Sequence, residues 1–402
     1  MTNRSTEGAP QGRPPEIAIT AAELREVPTP CFVIDEDRIM QNCDLLDRVQ
    51  RESGAKVLLA LKGFAAWRLF PAISKKLSGC TCSGLHEALL AHQEFGGEVH
   101  VYSPAYSAQD LGEILGIADH VIFNSLHQWD RFASHWEREE KAAGVSRGLR
   151  INPQHREVAV EIYDPCAPGS RLGVTAAELQ HRLPDDIEGL HFHTLCELGS
   201  DALARTLEAI EGRFGTILED PQLRWFNFGG GHHITKPGYD LENLIDIIRQ
   251  HRERYRHEVY LEPGEAVALN AGVLIASVLD IVSCDGIDTA ILDVSATAHM
   301  PDVLEMPYRP VIENAGEPGE RAHTIRLGGP TCLAGDIIGD YSVDAPLRVG
   351  DRLVFGDMAI YSMVKTTTFN GVQHPAIAIR WSGGETEVVR RFGFEDYRNR
   401  LG

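Results

Sequence analysis

From residue 57 the chain repeats one pattern eight times: a short apolar run, then, in most cases, a longer stretch of helical periodicity. The runs are VLLAL, CTCS, VHVYS, HVIFN, GLRIN, GLHFH, WFNFGGG and EVYLEPG. The segments between them include HEALLAHQEF, SAQDLGEILGIA and ALARTLEAIEGRF, which are amphipathic at helical spacing. Eight strands alternating with helices predict an α/β fold, a (β/α)8 barrel. Such a barrel takes about 250 residues, so a chain of 402 has room for a second domain. After about residue 275 the rhythm changes to GVLIASVLDIV, DTAILDVSA, HTIRLGGPTC and DRLVFGDMAIYSM, strand-like runs with turns between them. The expected organisation is a disordered polar tail over 1–25, a strand at 26–44 joining the β domain, the barrel over 45–275, and a mostly β domain over 276–402.

Bulk composition narrows the function. The formal net charge of −20 repels nucleic acid and anionic membrane and favours cationic ligands, although solubility alone also accounts for it. Hydrophobic residues at 43% and charged residues at 24% are ordinary for a soluble globular chain. No apolar run approaches the roughly 20 residues of a membrane span. The N-terminus lacks the apolar core of a secretory signal, so the cytoplasm is expected. The eight cysteines include no C-x-x-C pair and are expected to stay as thiols. His191, His193, His232 and His233 are the dense histidines, without the spacing of a zinc signature, and no metal is expected.

In a barrel of this kind the chemistry sits at the C-terminal ends of the strands. Those ends read Lys62, Ser83, Ser103, Asn124, Asn152, His193, Gly229–Gly231 and Glu262. A lysine there can lose its proton by desolvation and attack a carbonyl. Three glycines let backbone N–H groups approach an anion. A carboxylate can keep a pyridinium nitrogen protonated, and a flat imidazole can stack on a ring. Taken singly, each has a plainer account: a surface lysine, a tight turn, a polar barrel-end residue. Together they match the needs of pyridoxal phosphate (PLP), with Lys62 gripping the cofactor, Gly229, Gly230 and Gly231 its phosphate, and Glu262 its ring nitrogen.

In the order of its motifs, ALKGF, HFH, FGGG, EPGE, GGPTCLAGD and MAIYSM…TTTFNG, the sequence from Thr29 to Phe392 resembles the barrel-fold PLP decarboxylases (fold type III, alanine racemase-like). That group holds the ornithine, diaminopimelate and carboxynorspermidine decarboxylases. The resemblance implies that Lys62 carries PLP, that His193 stacks on its ring, and that Tyr361 touches its phosphate. It also implies that Cys332 reaches into a partner subunit's site, hence a homodimer with shared active sites. Two departures bear on substrate: Glu265 stands where ornithine and diaminopimelate decarboxylases typically have arginine, and Leu333 where ornithine decarboxylases have aspartate. Arginine to glutamate reverses a charge and removes a fork donor. The departures match the carboxynorspermidine (carboxyspermidine) decarboxylase branch, whose substrate is a cationic polyamine. Glu265, Asp302 and Asp336 are then the expected partners of its distal ammonium groups. Diaminopimelate decarboxylase, an amino-acid racemase, and a PLP-binding regulator without turnover are the competing readings.

Overall fold

The computed structural model describes residues 19–138, 142, 144–180 and 182–402. The chain divides into two compact units, one of residues 36–269 and one of residues up to 35 together with 270–402.

The first unit is the barrel. Its strands are β2 (Lys56–Ala60), β3 (Gly79–Cys82), β4 (Glu98–Tyr102), β5 (His120–Phe123), β6 (Ser146–Arg150), β7 (Gly189–His191), β8 (Trp225–Asn227) and β9 (Glu258–Leu261). Each pairs in parallel with the next, and β9 returns to β2, closing the sheet with no free edge. All eight expected strands are present.

The helices form where the sequence gives an apolar stripe. The helix Ser200–Leu218 buries Leu203, Leu207, Ile210, Phe214 and Ile217, spaced three or four apart. The helix Ala108–Ile114 begins at Ser107, whose side chain accepts a hydrogen bond from the Asp110 N–H. Inside the barrel, Leu58, Ile122, Trp225 and Tyr260 pack together. The Trp225 indole needs two glycines opposite it: a Cβ at Gly189 would stand 1.8 Å from Trp225 Cε2, and one at Gly148 would stand 2.3 Å from Cη2. These glycines therefore serve packing and not a turn.

The second unit is mostly β. Here β1 (Cys31–Asp35) lies between β10 (Gly272–Cys284), antiparallel, and β15 (Ala376–Arg380), parallel. The path continues through β11 (Ile287–Leu292), β12 (His323–Gly328) and β13 (Ile337–Val343) on one side and β16 (Thr386–Arg390) on the other, with β14 (Arg352–Phe355) paired to β10. Its apolar residues fall into two clusters, one holding Leu274, Ala276, Leu292, Leu327 and Phe355, the other Val33, Val273, Ile275 and Ala378. The alternation of Val273, Leu274, Ile275 and Ala276 between clusters is the period-2 pattern of a strand buried on both faces.

Residues 1–18 of the expected tail lie outside the described residues. Residues 19–25 belong to the folded unit: Ile19 and Leu24 are buried with Val27, Cys31 and Val33. Two apolar side chains in a polar stretch were enough to tie it down, since burying each is worth about 1.5–3 kcal/mol.

Candidate active site

Three of the expected site groups converge at the C-terminal mouth of the barrel unit. Lys62 stands two residues past β2, His193 two past β7, and Glu262 immediately after β9. Water reaches the Lys62 side chain, yet protein walls surround it, and the walls decide how its charge is solvated. That enclosure pushes the ammonium pKa down; Glu262 opposes the fall and Arg150 adds to it. A lysine so placed reaches its neutral, nucleophilic form more easily than one in water.

Glu262 is 7% exposed. Asn227 Nδ2 donates to its Oε1 at 2.7 Å, and His191 Nε2 lies 3.2 Å from its Oε2. Burial alone raises a carboxyl, but His191, by charge and by hydrogen bond, together with Lys62 and His100 outweighs it and holds Glu262 at about 2. His191 itself is driven down by burial, so the pair is a carboxylate accepting from a neutral imidazole. Asn227 is fully buried and also accepts the Gly229 N–H at 2.8 Å, fixing the amide's orientation from both ends.

His193 is likewise held neutral, by burial first and then by Lys62 and Arg150. Its Nδ1 accepts the Gly230 N–H at 2.9 Å, which leaves the proton on Nε2 and locks the ring plane. The glycine turn is therefore less open than three free amides would be. Gly229 and Gly230 spend their N–H groups on Asn227 and His193. The Gly231 N–H donates to no group among the described residues and is the amide left to meet an anion. None of the three positions has room for a side chain: a Cβ would lie 2.1 Å from Phe192 O at Gly229, 2.4 Å from Glu262 O at Gly230 and 1.9 Å from Leu195 O at Gly231. Gly229 and Gly231 also hold φ of +69° and +81°.

Ser83, Ser103, Asn124 and Asn152 do not join this group by any hydrogen bond to it. Asn124 Nδ2 and Asn152 Nδ2 donate to the carbonyls of Arg171 and Leu172, and Asn124 Oδ1 accepts from Gly173 N–H. The Ser83 N–H is tied to Glu87, and the Ser103 N–H to the Tyr106 hydroxyl. Their polarity secures loops.

Arg150 was not singled out by the sequence. It ends β6, is buried, donates to the His193 carbonyl at 3.1 Å and stacks its guanidinium 4.8 Å over the Tyr102 ring. A charged residue inside GLRIN was the available signal.

Glu265 lies three residues past Glu262. His233 Nε2 is 3.0 Å from its Oε1, and Glu197 joins them, the three ligand atoms all within 4.8 Å of one another.

Cys332, Asp302, Asp336 and Tyr361 belong to the second unit. Cys332 is exposed, with its N–H donating to Asn370 Oδ1 at 2.9 Å. Tyr361 is half-buried at φ +45°. The structure does not offer the two aspartates as free partners for a cation. Asp336 is buried and accepts from Ser295 Oγ at 2.9 and 3.0 Å, Thr331 Oγ1 at 2.7 Å, and the N–H groups of Thr297 and Thr331 at 3.3 Å. Asp302 pairs with Lys365 Nζ at 2.5 Å.

The barrel residues fit PLP: a desolvated lysine amine, an ionised buried carboxylate, an oriented neutral imidazole, and a turn too tight for any Cβ that ends on an available amide. Comparison with known proteins agrees. Residues 31–359 match the family model "Pyridoxal-dependent decarboxylase, C-terminal sheet domain". The chain is 49% identical over 381 residues to the carboxyaminopropylagmatine decarboxylase of a Synechocystis species, covering 94% of this chain and 97% of that one. It is 42% identical over 383 residues to the carboxynorspermidine/carboxyspermidine decarboxylase of Campylobacter jejuni, covering 92% and 98%. The crystal structure of carboxynorspermidine decarboxylase from that organism, complexed with norspermidine, superposes with a TM-score of 0.85 over 93% of this chain and 100% of that one, at 42% identity. The diaminopimelate decarboxylases of Vibrio cholerae and Aquifex aeolicus match less closely, at 28% and 24% identity over 60% and 62% of this chain. The chain belongs to the PLP-dependent decarboxylases, in the branch that holds the carboxynorspermidine/carboxyspermidine decarboxylases.

Proposed function

We propose that this protein removes CO2 from carboxynorspermidine or carboxyspermidine, giving norspermidine or spermidine. What chiefly supports the reading is one barrel mouth that joins the Lys62, His193 and Glu262 constellation to Glu265. The substrate ends in an α-amino carboxylate at one end and ammonium groups at the other. The first suits the cofactor machinery and the second a carboxylate.

When bound, PLP supplies an aldehyde carbon for an amine and a ring that draws electrons from the breaking Cα–carboxylate bond. Lys62, whose ammonium pKa its surroundings lower, would hold the cofactor through its amine. Glu262, held by the Asn227 amide and kept anionic by His191 and Lys62, would keep the cofactor's ring nitrogen protonated. His193 presents a neutral face whose plane Gly230 fixes. Loss of CO2 leaves Cα needing one proton. Cys332 Sγ of a second copy donates it, in competition with Lys62 Nζ, so the working form is a homodimer. Free thiols in all eight cysteines accord with a cytoplasmic enzyme.

A second substrate, carboxyaminopropylagmatine, is favoured by the 49% identity to the enzyme named for it. It differs in the distal cation, a planar guanidinium in place of an ammonium. The test is CO2 release from PLP-loaded protein given carboxynorspermidine, carboxyspermidine, carboxyaminopropylagmatine, ornithine or diaminopimelate. Preference for a carboxylated triamine supports the first reading, and preference for carboxyaminopropylagmatine the second. Preference for ornithine or diaminopimelate refutes both, as does PLP binding without turnover. Glu265→Ala should raise KM for the polyamine, and unchanged kinetics would remove Glu265 from the site.

A further inference from the structure

We infer that Glu197, His233 and Glu265 form one cation subsite in which the distal ammonium of the substrate takes the place of the His233 proton. This rests on the polyamine reading above and adds two residues and a proton to it.

Each member sits just beyond an established part of the site. Glu197 follows His193 by four residues, His233 follows Gly231 by two, and Glu265 follows Glu262 by three. The loops after β7, β8 and β9, adjacent strands of the barrel, therefore deliver the cluster to the same mouth as the cofactor residues. Cys196 lies between, within electrostatic reach of Lys62 on one side and of Glu197 and Glu265 on the other.

The burial within the cluster is graded. His233 is 5% exposed, Glu265 is half-buried, and Glu197 is exposed and forms the open side. Although His233 Nε2 is 3.0 Å from Glu265 Oε1, neither ring nitrogen of His233 has a hydrogen bond of good geometry. A buried imidazole between two carboxylates, unsatisfied at both nitrogens, is a group waiting on a partner.

The charges facing His233 are Glu265, Glu197 and Lys236. Burial works against its imidazolium, but the two carboxylates outweigh burial and Lys236, and its pKa is raised. Glu197, although its side chain reaches solvent, is itself raised, by the protein walls around it and by Glu265. Where His233 carries its proton, the imidazolium is the counterion between the two carboxylates. An arriving ammonium supplies the same charge to the same oxygens, and two cations within a few ångströms disfavour one another. The imidazolium then yields its proton to solvent and neutral His233 remains beside a carboxylate–ammonium pair. Below the raised His233 pKa the proton and the substrate compete, so KM falls as pH rises through it while kcat does not follow.

The experiment is calorimetric titration of norspermidine into the PLP-loaded protein near pH 7, in buffers of differing ionisation enthalpy. Its amines carry their protons there, and the amine that meets the cofactor can shed one of its own, so the His233 proton is read as the difference in release between wild type and His233→Gln. The wild type should release protons on binding and His233→Gln should release fewer. Glu197→Gln and Glu265→Gln should each weaken binding roughly tenfold, with PLP affinity unchanged. Across pH 6 to 8, the KM of His233→Gln should lose the slope seen in the wild type. Binding without proton release overturns the exchange and leaves the polyamine reading standing. Unchanged norspermidine affinity with weakened PLP affinity in the glutamine variants also overturns it, by assigning the cluster to the cofactor. No binding of norspermidine by the wild type overturns both.

Discussion

Asn227→Ala is the perturbation whose cost follows most directly from the structure. Asn227 is fully buried and makes two hydrogen bonds, donating to Glu262 Oε1 at 2.7 Å and accepting from Gly229 N–H at 2.8 Å. Alanine leaves both partners in place and unsatisfied. A hydrogen bond to a charged group contributes about 1.5–3 kcal/mol, and stranding a buried N–H costs about 1–3 kcal/mol. The expected loss is about 3–5 kcal/mol, or roughly 10 °C in Tm for a unit of this size. The catalytic effect has a separate origin. Freed on one side, Glu262 shifts from the cofactor nitrogen, and a misplacement of about 1 Å is worth roughly a hundredfold in rate. The assays are thermal melting of the PLP-loaded protein and CO2 release under saturating substrate. Asn227→Asp is the informative companion, because it keeps the shape while placing a second carboxylate against Glu262. One of the two must then take a proton, so activity should fall further as pH rises and that proton is lost. A Tm within about 2 °C of wild type together with unchanged kcat in Asn227→Ala would refute the positioning role given to this amide.

Three further outcomes are expected. Lys62→Ala should lose the visible absorbance of lysine-bound PLP and at least about 10³-fold in activity; persistence of the absorbance would mean that another lysine carries the cofactor. Glu262 and Glu98 are both held at about 2, burial opposing the shift and His191 or His100 with Lys56 outweighing it. Because these folded values lie below the ordinary carboxylate value of 4.5, their contribution to stability is present above about pH 4.5 and is lost as pH falls towards 2. Melting curves across that range should be less steep in pH for Glu98→Gln, and an identical slope would refute the assignment. Asp336→Ala should destabilise the loop that carries Cys332 by about 2–4 kcal/mol, through stranded Ser295 and Thr331 hydroxyls and two N–H groups, without changing the PLP spectrum; unaltered melting with a raised KM would restore it to the substrate.

The sequence by itself determined the barrel, the β second unit and the positions of Lys62, His193 and Glu262. Those features are written in local pattern: eight apolar runs at helix-length spacing, each ending where polarity resumes. Motif order and the charge reversal at Glu265 also pointed to the decarboxylase branch. Tertiary structure decided the rest, because a side chain's task depends on neighbours far away in the chain. Asn227 and His191 look like interior strand residues until β9 brings Glu262 beside them. Asp336 and Asp302 look like available acids until Ser295, 41 residues away, and Lys365, 63 residues away, occupy them. Gly148 and Gly189 open the strand runs GLRIN and GLHFH with nothing in the local pattern to say why they are glycine; Trp225 fills the space above both. Glu197, His233 and Glu265 lie on separate loops, and only closure of the barrel sets their charges against one another.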